Sequence, residues 1–404
     1  MPALTPEQIL LQQYRSVRAR TEKLCAPLAT EDHVPQPMAE VSPPKWHLGH
    51  SAWFFEHFVL MPHHDGFEPF DAGYGYVFNS YYEAIGERVA RPERGHLSRP
   101  SVAEVLAYRA HVDTGIGKLL EQPPSPDVQV LIELGLHHEQ QHQELLVTDI
   151  KAILGLNPLR PAYGDAKPGA LDLSAEHDGT CPPLDDWLDI SGGTVEVGHG
   201  GRGFAYDNES PRHAVIVPAH QLRHALVTNA EYEAFVADGG YDKPSLWLSE
   251  GWDWVRAHGV RSPMYWQRDG SGRWQHYTLM GVQALEKTAP VTHVSYYEAD
   301  AFCRWAGWRL PTEFEWEAGA AKLGWGRRWE WTQSAYLPYP GYRPGVGALG
   351  EYNGKFMVNQ QVLRGSSFAT APGHARLSYR NFFHTPLRWQ YTGIRPARDA
   401  DKQA

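Results

Sequence analysis

The first 157 residues of this 404-residue chain contain four segments with helical periodicity, and this feature most constrains the fold. The segments open with helix-start signals such as Thr5-Pro6-Glu7, where a hydroxyl residue precedes a proline and an acidic first turn. Four amphipathic helices pack as a bundle, and bundles hold metal sites between facing helices. The predicted helices begin after Thr5, after Ser42-Pro43-Pro44 (running to about Leu60), after Ser101 and at about Asp127, and the last one stops at Gly155.

Beyond residue 157 the pattern changes to short segments separated by Gly, Pro and Trp. Residues 194–197 and 214–217 have the character of strands, and helical periodicity returns only at 229–236 and 298–306. We interpret this half as a loop-rich α+β domain. The predicted parts are a helical bundle at 1–157, a linker at 158–183 and the α+β domain at 184–404.

Composition narrows the class of partner. The net charge of -10 argues against nucleic acid and anionic membranes, so small molecules are the expected partners. No apolar run is long enough to span a bilayer, and no secretory signal is visible. Cys25, Cys181 and Cys303 lie far apart, as expected for a cytoplasmic protein in a reducing compartment. The 21 histidines suggest metal chemistry.

Two histidines on the fourth predicted helix form half of a chelate. His138 and His142 are four residues apart, so both imidazoles lie on one face of the helix. The string His138-Glu-Gln-Gln-His142 also matches the zinc-protease pattern, but no third ligand suggests itself downstream. The second predicted helix supplies His47 and His50, of which one is expected to point into the bundle, and we favour His50.

The residues around these histidines resemble a known family. Pro44-Lys-Trp-His-Leu-Gly-His50, followed by the histidine pair, resembles the DinB-like bundle of the sulfoxide synthases of ergothioneine biosynthesis. The resemblance implies that His50, His138 and His142 bind iron(II), Fe(2+). Three histidines leave open positions for O2, a thiolate and an imidazole, whereas a structural zinc site is closed.

The second half resembles the other domain of the same family. Its motifs follow the order of a formylglycine-generating-enzyme (sulfatase-modifying-factor) domain, which is a C-type-lectin-like α+β fold. Because Cys303 is the only cysteine in this half, copper-dependent formylglycine formation is not expected. The implied fold class is α plus α+β, with a DinB-like four-helix bundle before this domain. The motifs include Gly192-Gly-Thr-Val-Glu-Val-Gly198, Arg309-Leu-Pro-Thr-Glu313, Trp329-Glu-Trp331 and Gly393-Ile-Arg395.

The resemblance also implies a substrate. Sulfoxide synthases consume O2 and join sulfur from cysteine or γ-glutamylcysteine to the imidazole of hercynine, the N-trimethylated histidine. A quaternary ammonium group donates no hydrogen bond, so aromatic faces and polar oxygens hold it. In the relatives, the position of Gln141 hydrogen-bonds the imidazole. The stretch implied to bind hercynine consists of Arg380, Asn381, Phe382 and Phe383.

The long connection before the third predicted helix supplies further candidates. One phenol of Tyr81 and Tyr82 is expected to supply a proton or hydrogen atom near the iron, while the other packs or positions substrate. Glu139 is not a candidate, because helical geometry turns it away from the metal face. Arg91 and Arg94 match an Arg-x-x-Arg pair that anchors the donor's carboxylate in relatives, and arginine suits carboxylate geometry.

One departure from the family leaves the donor open. Some synthases have Trp-Asp where this chain has Phe382-Phe383, and that acid helps them hold γ-glutamylcysteine. The donor alternatives therefore include free cysteine and a selenosugar, since selenoneine synthases share this architecture and join hercynine to a selenosugar. A DinB-type zinc hydrolase or thiol transferase is the more distant alternative, and it would need neither hercynine nor O2.

Overall fold

The computed structural model describes residues 4–83, 85–164, 171–176, 185–346 and 350–400. Much of the predicted linker, including Cys181, lies outside these residues. The α-helices are α1 (Pro6–Cys25), α2 (Pro44–Phe55), α3 (Met61–His63), α4 (Tyr74–Val77), α5 (Val102–Leu119), α6 (Pro126–Leu156), α7 (Asn229–Ala237), α8 (Ser249–His258), α9 (Tyr296–Trp305) and α10 (Glu313–Ala320).

Local sequence signals set the starts of the bundle helices, as predicted. The Thr5 side chain accepts a hydrogen bond from the Gln8 backbone N–H, and the Gln8 side chain accepts one from the Thr5 N–H. Ser101 and Glu104 form the same capping box at the start of α5. Each box satisfies backbone donors that the first helical turn leaves open.

Helix α2 is the central element of the bundle, and all of its residues are buried. It packs against α5, α6 and α1. It continues through a π-helical segment, Glu56–Leu60, into α3, so the second predicted helix does extend to Leu60. A helix that is buried all round presents every side chain to a neighbour, which places both of its histidines inside the protein.

A buried carboxylate ties three bundle helices together. The two oxygens of Glu139 on α6 accept hydrogen bonds from Arg18 on α1 at 2.9 Å and from Arg109 on α5 at 3.0 Å. Thr21 donates a further hydrogen bond at 2.6 Å. Burial alone would raise the pKa of Glu139, but the two guanidinium groups outweigh it and lower the pKa to about 2. Glu139 therefore acts as a charged anchor of the bundle core.

The C-terminal half is an α+β domain of small sheets, with strand orders β1-β4-β12, β10-β9-β8-β11, β2-β3 and β5-β6-β7. Among the strands of the described residues, pairing is antiparallel except between β11 and β8, which are parallel. The strands are β1 (Trp187–Ile190), β2 (Gly193–Val197), β3 (His213–Val217), β4 (His220–Arg223), β5 (Trp266–Arg268), β6 (Trp274–Thr278), β7 (Gly281–Ala284), β8 (Trp329–Ala335), β9 (Gln360–Gly365), β10 (Asn381–His384), β11 (Thr392–Gly393) and β12 (Ala397–Asp399).

Two expectations for local structure were wrong. Helical structure in this half is not confined to the two predicted segments, because α8 and α10 are also helical, and α10 begins at a capping box of Thr312 with Glu315. Gly155 does not end α6, which extends to Leu156. A Cβ at Gly155 would lie 2.5 Å from the Tyr277 ring, so this glycine permits close packing of α6 against β6.

Helix α6 belongs to both halves of the molecule. One face completes the bundle, and the other makes hydrogen bonds to the C-terminal domain through Gln141, Glu144, Asp149 and Lys151. Side chains of the bundle interior and side chains that contact the C-terminal domain therefore lie close together on α6. Within the described residues, no helix is both long enough and apolar enough to cross a bilayer.

Candidate metal centre and substrate cavity

Three buried histidines converge between α2 and α6. His50, His138 and His142 each offer one ring nitrogen, and these atoms lie within 4.8 Å of one another. The closest pair is Nε2 of His50 and Nε2 of His138, 3.2 Å apart. No carboxylate or thiol among the described residues joins this group. The structure thus brings together the three histidines selected from the sequence.

The protonation state of these rings suits a cation. Burial lowers the pKa of His138 to about 3 and lowers the pKa values of His50 and His142 well below their usual value. Neutral imidazoles present nitrogen lone pairs, which are the form that binds metals. Nδ1 of His50 contacts the Phe78 carbonyl oxygen at 2.7 Å, so this ring donates there and its Nε2 lone pair points into the cluster. The donor set fits a divalent transition metal.

His47, the alternative considered for the second helix, lies beside the triad. Its Nδ1 is 3.0 Å from Nδ1 of His142, and its Nε2 is 2.9 Å from Oδ2 of Asp149. Glu139 points away from the triad into the Arg18 and Arg109 guanidinium groups. It therefore lacks the position of the water-activating base that the zinc-protease interpretation requires.

A cavity of about 720 Å³ opens beside His142, between the bundle and the C-terminal domain. The loop before α5, one face of α6 and strand β10 contribute to its wall. Several residues selected from the sequence lie on this wall, although they are far apart in the chain. These residues are Tyr81, Arg91, Arg94, Gln141, Asn381, Phe382 and Phe383.

Two of the residues selected for substrate binding or proton transfer do not line the cavity. The Arg380 guanidinium is buried and donates hydrogen bonds to Glu313 at 2.8 and 3.0 Å. Tyr82 is also buried, and its ring stacks on Tyr81 with a centroid distance of 4.6 Å. Tyr82 therefore packs behind a residue that reaches the cavity, whereas the Arg380 side chain lies in the interior of the C-terminal domain.

Gln141 is held from the second domain by two tyrosines. The Tyr352 hydroxyl donates to Gln141 Oε1 at 2.6 Å, and Gln141 Nε2 donates to the Tyr379 hydroxyl at 3.2 Å. The Tyr352 ring also lies edge-on to His138, with a centroid distance of 5.8 Å. Sequence reasoning missed Tyr352, because nothing in its local sequence relates it to a helix more than 200 residues earlier.

Glu144 is the second residue whose role was missed. It lines the cavity two residues after His142, and Ser367 and Thr370 each donate a hydrogen bond to it at 2.7 Å. Trp329 donates a third through its indole nitrogen. All three donors are uncharged, and burial raises the pKa of Glu144 despite them. Glu144 thus places a carboxyl group in this part of the cavity wall, oriented by three donors from the C-terminal domain.

Comparisons with known proteins agree with this architecture. Residues 13–146 match the DinB superfamily, and residues 174–328 match the sulfatase-modifying factor enzyme 1-like domain. The hercynine oxygenase of Mycolicibacterium thermoresistibile is 30% identical over 369 residues, which cover 78% of each chain. That of Mycolicibacterium smegmatis is 29% identical over 77% of this chain and 81% of its own. The formylglycine-generating enzyme of Streptomyces coelicolor is 32% identical over 35% of this chain and 49% of its own.

The histidine triad on a DinB bundle, joined to a sulfatase-modifying-factor domain, defines a class of two-domain enzyme. Within this class, the chain belongs to the hercynine oxygenase family, the sulfoxide synthases of ergothioneine biosynthesis. The family and the fold class that the sequence implied are both confirmed.

Proposed function

We propose that this protein is an iron(II)- and O2-dependent enzyme that joins the imidazole carbon of hercynine to a thiol donor and forms a sulfoxide. The observation that carries the proposal is the buried triad of His50, His138 and His142 beside the cavity. Relatives named hercynine oxygenase support the same reaction. Iron(II) held by these three residues would supply the chemistry that activates O2, and three protein ligands leave room for substrates.

The cavity has the groups that hercynine requires. Glu144 offers carboxyl oxygens, its donor Trp329 lies 5.3 Å from the Tyr379 ring between centroids, and all three residues line the cavity. A trimethylammonium group would therefore meet both polar oxygens and aromatic faces. Gln141, fixed by Tyr352 and Tyr379, is positioned to hydrogen-bond the imidazole. Asn381 on β10 would then contact the amino-acid portion of the substrate.

Two arginines in the segment before α5 suit the carboxylate of the thiol donor. Arg91 and Arg94 line the cavity, and the Arg94 guanidinium stacks on the Trp46 ring with its central carbon 3.4 Å from the ring centroid. A stacked, positioned guanidinium binds a carboxylate at little further cost in side-chain entropy. These two residues would bind the carboxylate of the thiol donor.

Tyr81 is the tyrosine that we assign as the proton donor. It lines the cavity, whereas Tyr82 is buried behind it. Burial raises the pKa of the Tyr81 hydroxyl, so the phenol keeps its proton at neutral pH and has it available for transfer. Tyr82 would position Tyr81 through ring stacking.

The cavity wall near Phe383 bears on the identity of the donor. The Phe383 ring packs against Trp389 with a centroid distance of 5.6 Å, so this part of the wall is apolar where some relatives have an acid. This favours free cysteine over γ-glutamylcysteine. A selenosugar is the alternative donor, which would make the enzyme a selenoneine synthase that forms a carbon–selenium bond.

One assay tests the reaction and separates the donors. The full-length protein is reconstituted with iron(II) without O2, mixed with hercynine and one donor, and then exposed to O2. The donors are cysteine, γ-glutamylcysteine and a selenosugar, and mass spectrometry detects the adducts. We expect one donor to give a hercynine adduct in an iron-dependent manner. Absence of an adduct with every donor, in protein that holds iron, would refute the proposed reaction.

A further inference from the structure

A chain of hydrogen bonds leads from the C-terminal domain to one of the three histidines. The Trp389 indole nitrogen donates to Oδ1 of Asp149 at 2.9 Å, and Oδ2 of Asp149 contacts Nε2 of His47 at 2.9 Å. Nδ1 of His47 is in turn 3.0 Å from Nδ1 of His142. The Asp149 and His47 residues are each 1% exposed, so water does not compete for the contact between them.

If both imidazole rings are neutral, only one assignment of their protons is consistent with these hydrogen bonds. The Asp149 carboxylate only accepts hydrogen bonds, so the His47 proton is on Nε2. His47 Nδ1 is then an acceptor, and His142 must donate to it from Nδ1. With its proton on Nδ1, a neutral His142 carries its lone pair on Nε2, the nitrogen that remains for the triad.

We propose that Asp149 and His47 are positioning residues that fix His142 in the tautomer able to bind a metal. This inference rests on the proposed metal site, and it goes further by assigning two residues that do not belong to the triad. Hydrogen-bonded partners of this kind fix both the ring orientation and the tautomer of a ligating histidine. His47 therefore determines which nitrogen of His142 faces the cation.

The carboxylate that starts this relay is itself fixed from both domains. The Ser42 backbone N–H, immediately before α2, donates to Oδ2 of Asp149 at 2.8 Å, and Trp389 of the C-terminal domain donates to Oδ1. Trp389 also lines the cavity beside Phe383. Docking of the C-terminal domain thus helps to set the orientation of a bundle histidine, which couples the substrate cavity to the triad.

Asp149→Leu is the most informative variant, because it removes both carboxylate oxygens. Nε2 of His47 then loses the acceptor that holds its proton there. Nδ1 of His47 is no longer fixed as an acceptor, so His142 also populates the tautomer with its proton on Nε2, the wrong tautomer for binding. The affinity for Co(II), used as the probe in the full-length protein, should fall about 10- to 100-fold.

Two measurements separate this role from a general loss of structure or charge. The first is the Co(II) dissociation constant, and the second is the 15N spectrum of the His142 ring in metal-free protein, assigned with His142→Ala. Asp149→Leu should lower the fraction of His142 rings that carry their proton on Nδ1. His47→Phe should weaken Co(II) binding although it leaves the Asp149 charge in place. His33→Phe is its control, because His33 is also a buried histidine and its Nδ1 hydrogen-bonds the Ala29 carbonyl oxygen at 2.9 Å.

The contribution of Trp389, from the C-terminal domain, is tested with a variant and a matched control. Trp389→Phe removes the indole donor and keeps an aromatic ring, and it should weaken Co(II) binding several-fold. Trp247→Phe removes the hydrogen bond of another buried indole, to the Gly240 carbonyl oxygen at 2.9 Å, and should leave Co(II) binding unchanged.

The outcomes decide the proposal without any assay of turnover. An unchanged His142 tautomer in Asp149→Leu, or Co(II) binding within twofold of wild type in both Asp149→Leu and His47→Phe, would overturn it. Equal losses in the relay variants and their controls would also overturn it. If wild-type protein bound no Co(II), the proposed metal site would fail, whereas the tautomer measurement would still test the relay by itself.

Discussion

The buried carboxylate of Glu139 offers the sharpest test of how the bundle is held together. Its pKa falls from the usual 4.5 to about 2, and at about 1.4 kcal/mol per pKa unit this difference contributes about 3 kcal/mol to folding at neutral pH. Glu139→Gln removes the charge but keeps the shape, and it leaves Arg18 and Arg109 without their shared anion. We therefore expect a loss of about 3 to 5 kcal/mol in the free energy of unfolding.

The loss should depend on pH in a defined direction. A lowered carboxyl pKa stabilises the folded state above the unfolded pKa of 4.5, and this contribution disappears as the pH falls towards 2. Urea unfolding of wild type and Glu139→Gln, followed by tryptophan fluorescence, should give a constant difference at neutral pH. The difference should shrink below about pH 4.5.

Glu22 provides a matched control, because it also pairs with Arg109. Glu22 lies 3.3 Å from the Arg109 Nε, but about half of its side chain is exposed, so Glu22→Gln should cost less than about 1 kcal/mol. If Glu139→Gln unfolded at the same urea concentration as wild type, the anchoring role would be refuted. If it lost metal affinity at unchanged stability, Glu139 would instead serve the triad directly.

Three further predictions concern the site. Asn381→Ala should raise the hercynine KM about tenfold through one lost hydrogen bond, with unchanged iron content by metal analysis; equal loss of iron would indicate misfolding. Tyr81→Phe should keep iron and hercynine binding but shift the product towards oxidised donor in mass spectra, and wild-type rates and products in both Tyr81→Phe and Tyr82→Phe would make the pair structural. Gly49→Ala should weaken Co(II) binding in titrations, because the added Cβ would lie 2.2 Å from the Phe78 ring, and the Phe78 backbone carbonyl oxygen orients His50. Wild-type Co(II) affinity in this variant would exclude the effect.

The elements that sequence reasoning located correctly are those with local causes. Capping boxes at Thr5 and Ser101 involve residues three positions apart, so they are visible in the sequence. His138 and His142 share a face for the same reason. The choice of His50 over His47 also agrees with the geometry, although both side chains are buried, because His47 is occupied by Asp149.

The walls of the cavity could not be predicted in the same way. Tyr352 and Glu144 act through contacts between segments roughly 200 residues apart in the chain, and no periodicity records such contacts. Arg380 shows the converse case. Its neighbours reach the cavity, but its own guanidinium is held by Glu313 in the domain interior, and only the three-dimensional packing distinguishes these positions.

The most direct test of the central claim is O2 uptake by full-length protein loaded with iron(II) or with zinc(II), in the presence of hercynine and the active donor. We predict that the iron-loaded protein consumes O2 only when hercynine is present, and that the zinc-loaded protein consumes none. His138→Ala, which removes one of the three ligands, should also consume none. Turnover of a substrate by the zinc-loaded protein without O2 uptake would contradict the account and would favour a hydrolase or transferase of the DinB type.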